Sequence, residues 1–266
     1  MIGAIIGDIA GSPYEGWSGN NYKGKDFEFL SHFCAPTDDS IMTLALAKAI
    51  TDCKGDYSKL EVESIRNMQK YGRQYPNAGY GGLFHRWLYS ENPKPYYSYG
   101  NGAAMRVSPC GFAASSLAEG LRLARVVTQV THNHPEALKA AEAVVSAIFM
   151  GRTGNTMSEI RSFITEHYYR IDFTLEEIRP RYKFDVTCQG SVPQAIEAFF
   201  ESTDFEDAIR NAISIGGDSD TIAAITGGMA EAYYGVPEKL RQKALCFLDD
   251  EQREILERFE GMFSRC

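Results

Sequence analysis

The 266-residue chain is 44% hydrophobic and 23% charged, the balance of a globular protein long enough to bury a core without disulfides or a structural metal. Its 27 Lys and Arg against 35 Asp and Glu leave a net charge of −8 with no basic tract, which excludes duplex nucleic acid as the expected partner. No apolar run nears the roughly 18 residues of a membrane span, and Cys34, Cys53, Cys110, Cys188, Cys246 and Cys266 show neither CxxC nor secreted-scaffold spacing, so free thiols in a cytoplasmic protein are expected.

The chain opens Met1-Ile-Gly-Ala-Ile-Ile-Gly-Asp8. It lacks a basic flank and is interrupted by Asp8, so it does not read as a signal peptide. Gly3, Gly7 and Gly11 recur every four residues and on a helix form a ridge without side chains, against which another backbone packs closely. The ridge leaves two acids unexplained. Asp8 stands among Ile5, Ile6, Ile9 and Ala10, where a carboxylate is costly to bury unless paired or bound to a metal. Glu15, past Pro13, is expected on the loop leaving this helix.

Pro36-Thr37-Asp38-Asp39-Ser40 precedes a helical stripe through Ile41, Leu44 and Ala45. Residues of these types cap helix starts. One acid suffices for a cap, however, and a row of oxygen-bearing side chains at such a corner equally makes an edge for a hard cation such as Mg²⁺. From Gly72 to Pro109 the chain is expected to be poorly helical. Its aromatics Tyr75, Tyr80, Phe84, Trp87, Tyr96, Tyr97 and Tyr99 are too many for a purely solvated loop, and long inserts in compact domains are usually functional. The end of this stretch, Ser98-Tyr-Gly-Asn-Gly-Ala-Ala-Met-Arg-Val-Ser-Pro109, is a glycine loop leading toward a helix. Backbone N–H groups of such a loop can cradle a diphosphate and Tyr99 can stack on a base, but glycine loops are common and this one is not a Walker A loop.

Helical stripes continue through Leu117, Leu121, Ala124 and Val127, and after the His132 to Pro135 turn through Ala137, Leu138, Ala141, Val144, Val145 and Ile148, with Gly151 as the stop. Phe205, Ala208, Ile209 and Ala212 make another. Ile215-Gly-Gly-Asp218-Ser-Asp220-Thr221 then begins a helix bearing Ile222, Ile225, Met229 and Ala232, ended by Gly235 and Pro237. Its interleaved small residues, Ala223, Ala224, Gly227, Gly228 and Ala230, mark a helix packed on several sides. Leu240, Ala244, Phe247 and Leu248, and then Ile255, Leu256 and Phe259, close the series. Period-two strands are absent, so an all-α fold is expected: a compact orthogonal helical bundle in one domain over residues 1–266. The Thr-Asp-Asp and Asp-x-Asp-Thr helix starts supply four carboxylates and two hydroxyls. Gathering such like charges in one pocket demands cations, most simply two divalent ions. His132 and His134 have no partner at ligand spacing, which argues against a histidine-rich metal site.

Gly7-Asp8-x-x-Gly11-x-x-x-Glu15, Thr37-Asp38-Asp39, Gly100-Asn-Gly-x-x-Met-Arg-x-x-Pro109, Thr131-His132-x-x-Pro135, Gly190-Ser-Val-Pro193 and Gly216-Gly-Asp-x-Asp-Thr221 occur in this order. Together they resemble the ADP-ribosylglycohydrolase family, which includes ADP-ribosylarginine hydrolases and dinitrogenase-reductase-activating glycohydrolases. The resemblance implies an all-α fold with two Mg²⁺ or Mn²⁺ ions held by Thr37, Asp38, Asp39, Asp218, Asp220 and Thr221. It implies that Ser98, Tyr99, Gly100, Asn101 and Gly102 take the diphosphate and adenine end of ADP-ribose, with Gly79, Gly81 and His132 nearby. Glu15, Asp38 and Asp39 become the catalytic candidates, with their acid and base roles undivided. The implied activity is Mg²⁺-dependent hydrolysis of the glycosidic bond between ADP-ribose and a modified side chain, arginine first, or a small conjugate. Two other readings compete: a di-metal nucleotide phosphohydrolase, and a non-catalytic ADP-ribose-binding protein on the same fold.

Overall fold

In the computed structural model, which describes residues 1–15 and 22–263, the chain runs through α1 (Ile2–Gly11), α2 (Asp38–Cys53), α3 (Leu60–Gln74), α4 (Gly82–Leu88), α5 (Ser108–Ala113), α6 (Leu117–Gln129) and α7 (Pro135–Arg152). It continues through α8 (Met157–His167), α9 (Leu175–Ile178), α10 (Cys188–Phe200), α11 (Phe205–Ser214), α12 (Ser219–Tyr234), α13 (Glu238–Leu245) and α14 (Asp250–Phe263). The fold is all-α. Among the described residues the strand-like pairing is confined to an isolated antiparallel bridge between Gly100 and Thr187. No described helix is long and apolar enough to cross a membrane. Cys34, Cys53, Cys110, Cys188 and Cys246 are free thiols, and Cys266 lies outside the described residues.

The centre of the molecule is the contact that the glycine ridge predicts. Every residue of α1 is buried. A Cβ at Gly3 would stand 2.3 Å from the carbonyl oxygen of Gly227, one at Gly7 2.0 Å from that of Ala223, and one at Gly11 2.5 Å from Cα of Asp220. The pairings descend along α12 as they ascend along α1, so the two helices run antiparallel with their backbones touching. The end of α1 therefore meets the start of α12. Around this pair, α7, α10 and α11 pack on the remaining sides of α12, which explains its small residues.

Some elements depart from the sequence reading. The stretch from Gly72 to Pro109 contains α4, whose Phe84, Trp87 and Leu88 are buried. Gly151 sits inside α7 and accommodates the backbone at Ala232 and Tyr233, while the helix ends at Arg152 before Gly154, at φ +87°. Phe247 and Leu248 lie beyond α13. Helix α3 is not among the stripes of the sequence reading, and Ser64 and Asn67 belong to its buried face. Their side chains donate back to the carbonyls of Leu60 (2.7 Å) and Glu63 (2.9 Å), a local solution that lets polar residues be buried in a helix. Helix α10 is nearly all buried and contains Pro193, which masks it as a helix in the sequence.

Candidate metal centre and active site

The antiparallel contact delivers two acids from the start of the chain to two acids near its end. Gly216 (φ +70°) and Gly217 (φ +79°) turn the chain from α11 into α12 through two successive left-handed residues, and Asp218 follows as the N-cap residue of α12. Asp218, Asp220 and Thr221 are buried there. Beyond α1, the turn Ser12–Tyr14 brings Glu15 to the same place, and Ser219 Oγ donates to the Tyr14 carbonyl at 3.0 Å to hold that turn.

Asp8 has a different task. Its Oδ2 accepts from the backbone N–H groups of Thr37 (2.9 Å) and Ser40 (3.0 Å), and its Oδ1 accepts from Thr37 Oγ1 (2.6 Å). Free N–H groups at the start of α2 are thus satisfied by a carboxylate from α1. Thr37 is the N-cap residue, accepting from the Asp39 N–H at 3.4 Å. With capping done by Asp8 and Thr37, the Asp38 and Asp39 side chains are free to face inward.

The carboxylates form two overlapping groups. One oxygen each from Asp8, Asp39 and Asp220 lie within 4.8 Å of one another, and so do oxygens from Glu15, Asp218 and Asp220. Asp220 belongs to both. Burial, followed by repulsion from neighbouring carboxylates, holds Asp39 and Asp220 well above the ordinary carboxylate range. The same causes push Asp38 up to about 8, and burial also raises Asp8 and Asp218. Hydrogen bonds offset part of this cost at Asp8 and Asp218. Asp39 Oδ2 accepts from Thr221 Oγ1 at 3.2 Å and Asp218 Oδ2 from Asn101 Nδ2 at 2.6 Å, but Asp39 Oδ1 is buried without a partner among the described residues. An all-oxygen donor set with an orphaned buried carboxylate oxygen fits hard divalent cations.

All of these acids but Asp8 line a cavity of about 400 Å³. Glu15, Thr37, Asp38, Asp39, Asp218, Asp220 and Thr221 share that lining with Gly79, Gly81, Ser98, Gly100, Asn101, Gly102 and His132. Segments far apart in the sequence thus meet at one cavity. Tyr99 stands apart from the lining: its ring is 45% exposed and lies 5.2 Å from that of His134, while its carbonyl accepts from the Cys188 N–H. The Gly100 N–H donates to Ser98 Oγ and the Asn101 N–H to the Val186 carbonyl, so two N–H groups of the glycine loop are already engaged. Phe84, Tyr96, Phe184 and Arg106 also line the cavity and were not singled out as site residues by the sequence. Asp8 was visible there as an acid in an apolar run, but its service to α2 depends on a partner that only the fold supplies.

A model of the family described as ADP-ribosylglycohydrolase matches residues 1–264. ADP-ribosylhydrolase ARH3 of Homo sapiens is 26% identical over 321 aligned residues, covering 91% of this chain and 87% of its own. ADP-ribosylarginine hydrolase Tri1 of Pseudomonas putida (strain GB-1) is 24% identical, covering 89% of this chain and 70% of its own. A solved structure described as an ADP-ribosylglycohydrolase-related protein complex superposes with a TM-score of 0.70 over 99% of this chain and 96% of that one, at 23% identity, which establishes a shared fold.

Proposed function

Because the chain belongs to the ADP-ribosylglycohydrolase family and is an enzyme of that kind, we propose that it hydrolyses, with Mg²⁺, the glycosidic bond between ADP-ribose and an arginine side chain, releasing ADP-ribose. The observation that carries this reading is the pair of carboxylate groups that meet at Asp220, a residue of the cavity that the Ser98–Gly102 loop also lines. The activity for which the Pseudomonas relative is named supports arginine as the linkage.

Thr37, Asp38, Asp39, Asp218, Asp220 and Thr221 would hold two Mg²⁺ or Mn²⁺ ions, which supply positive charge against ribose oxygens and lower the pKa of water. The rest of the work falls to the chain itself. Ser98, Gly100, Asn101, Gly102 and His132, with Gly79 and Gly81 nearby, take the diphosphate-bearing end of the substrate and set the distal ribose over the acids. Tyr99, on the exposed rim, is the candidate for stacking on adenine. At the anomeric carbon the oxygen of water forms the new bond as the bond to the guanidine nitrogen breaks, and one proton passes from water to the leaving nitrogen. Glu15, grouped with Asp218 and Asp220, is the side chain we assign to carrying that proton, with Asp38 and Asp39 lining the same cavity. The free thiols support a cytoplasmic location, and the chain would act as one catalytic domain.

The test is chromatography of ADP-ribosyl-arginine, ADP-ribosyl-serine and O-acetyl-ADP-ribose, each incubated with protein and Mg²⁺. Fastest release of intact ADP-ribose from the arginine conjugate is expected. Preference for another conjugate would replace the linkage, and nucleotide or phosphate products would replace the glycosidic reading by a phosphohydrolase.

A further inference from the structure

His132 is held in the cavity lining by two residues that the proposed mechanism has not used, Arg106 and Thr131. Arg106 is 1% exposed and has no carboxylate partner among the described residues. Its Nη2 donates to Thr131 Oγ1 at 2.6 Å and lies 3.4 Å from Nδ1 of His132, and its guanidinium stands over the Phe84 ring at 5.3 Å. Thr131 Oγ1 is 2.7 Å from the same Nδ1 and 3.4 Å from the Thr128 carbonyl.

Donor and acceptor accounting decides the arrangement. A guanidinium only donates, so Thr131 Oγ1 must accept from Arg106 and is left with one O–H to give. The well-placed acceptor is Nδ1 at 2.7 Å, not the Thr128 carbonyl at 3.4 Å. A proton on Nδ1 would instead face the guanidinium N–H, donor against donor and beside a buried positive charge. Nδ1 therefore carries the lone pair, and the ring's hydrogen sits on Nε2.

Nε2 points to the substrate side. It lies 3.5 Å from where a Cβ would stand on either Gly100 or Gly102, so these glycines leave the space before it open. Among the described residues no hydrogen-bond partner meets Nε2, while two N–H groups of the adjacent loop are already engaged. We propose that Arg106 and Thr131 are positioning residues that fix His132 as its Nε2–H tautomer, giving the cavity a neutral donor for an anionic oxygen of the substrate diphosphate. Burial, and then the charge of Arg106, hold His132 well below its ordinary range, so the ring stays neutral at working pH. The role of that donor rests on the ADP-ribose reading above, whereas the tautomer does not.

The experiment has two arms. In long-range ¹H–¹⁵N spectra of the ligand-free ¹⁵N-labelled protein, with His132→Gln identifying the resonances, Nδ1 is expected to be pyridine-like and Nε2 pyrrole-like. A pyrrole-like Nδ1 overturns the proposal, whatever any variant does. In kinetics on the conjugate that the protein cleaves, Thr131→Val is expected to raise KM about five- to tenfold, as the loss of one oriented hydrogen bond implies, and to change KM more than kcat. Thr131→Ser, which keeps the hydroxyl, is expected to restore KM. Equal KM in the Val and Ser variants, with the wild-type tautomer kept in both, overturns the positioning role. The expected tautomer in a wild-type protein that fails to bind ADP-ribose overturns the substrate reading while the relay stands.

Discussion

Asp8, on α1, caps α2 at Ser40: its Oδ2 accepts the Ser40 N–H at 3.0 Å, across 32 residues of sequence. Because the same carboxylate takes both the N–H and the hydroxyl of Thr37, one side chain fixes the corner from which Asp38 and Asp39 project. Asp8→Asn keeps the size but sets an amide NH₂ against donors. Loss of about 1 to 3 kcal/mol of stability is expected, together with weaker Mg²⁺ binding, although Asp8 is outside the ligand set assigned above. Thermal unfolding and calorimetric Mg²⁺ titration of the variant measure both. Unchanged metal affinity would show that the corner holds its shape without Asp8.

Gly7→Ala tests the backbone contact. The added Cβ would meet the Ala223 carbonyl, which cannot move without shifting α12, so destabilisation of about 3 kcal/mol or more is expected despite the better helix propensity of Ala. Gly261→Ala in α14 is the control, since nothing lies within 4 Å of the Cβ it would add. There a gain of up to about 1 kcal/mol is expected. Urea midpoints of the two variants should move in opposite directions.

The acid cluster predicts how pH acts on the chelated protein. The folded-state pKa values of Asp8, Asp38, Asp39, Asp218 and Asp220 are raised, Asp38 to about 8. Between the ordinary carboxylate range, about 4, and pH 8 the folded state therefore binds protons that the unfolded chain has released. In EDTA the contribution of these groups should accordingly make the protein more stable as pH falls through that window. Mg²⁺ should stabilise most at the upper end, where the acids are ionised, and its effect should track free ion concentration. Melting curves at several pH values in EDTA and in Mg²⁺ provide the check; a chelated protein that gains stability toward pH 8 would contradict the shifts.

Asp220 and Glu15 should separate binding from turnover. Asp220 belongs to both carboxylate groups, so Asp220→Asn is expected to lose metal occupancy and activity together. Glu15→Gln leaves the six assigned ligands intact and is expected to keep the ions while turnover falls about 100- to 10,000-fold. Elemental analysis beside steady-state rates distinguishes them. Normal turnover in Glu15→Gln would remove it from proton transfer, and two ions bound to Asp220→Asn would move the metal centre elsewhere.

The all-α class was legible because α1, α2, α7 and α12 announce themselves by apolar period, small-residue ridges or oxygen-bearing starts. The two acidic helix starts were equally legible, since acids at a buried helix start carry a cost that the sequence makes visible. Other features needed the fold. Ser64 and Asn67 bury themselves by bonding to their own helix, so sequence alone does not place these two polar residues on the inner face of α3. Arg106 and Thr131 become meaningful only beside His132, and nothing in their spacing tells a buried cation from a surface one. For Tyr99, sequence cannot say which face of its loop the ring takes; it lies on the rim against His134.

The contact between α1 and α12 also governs when the enzyme can come into being. Gly3 donates its N–H to Glu231, 228 residues away, and carboxylate oxygens of Asp8 and Asp220 lie within 4.8 Å of each other. A growing chain makes α1 long before α12, and α1 has no such partner until α12 has emerged. Until then a wholly apolar helix with one acid must wait, exposed or sheltered by something else. Pairings of such long range are closed late and slowly. Acquisition of a divalent ion would therefore report that the two ends of the sequence have met, making metal uptake a clock for the last stage of folding.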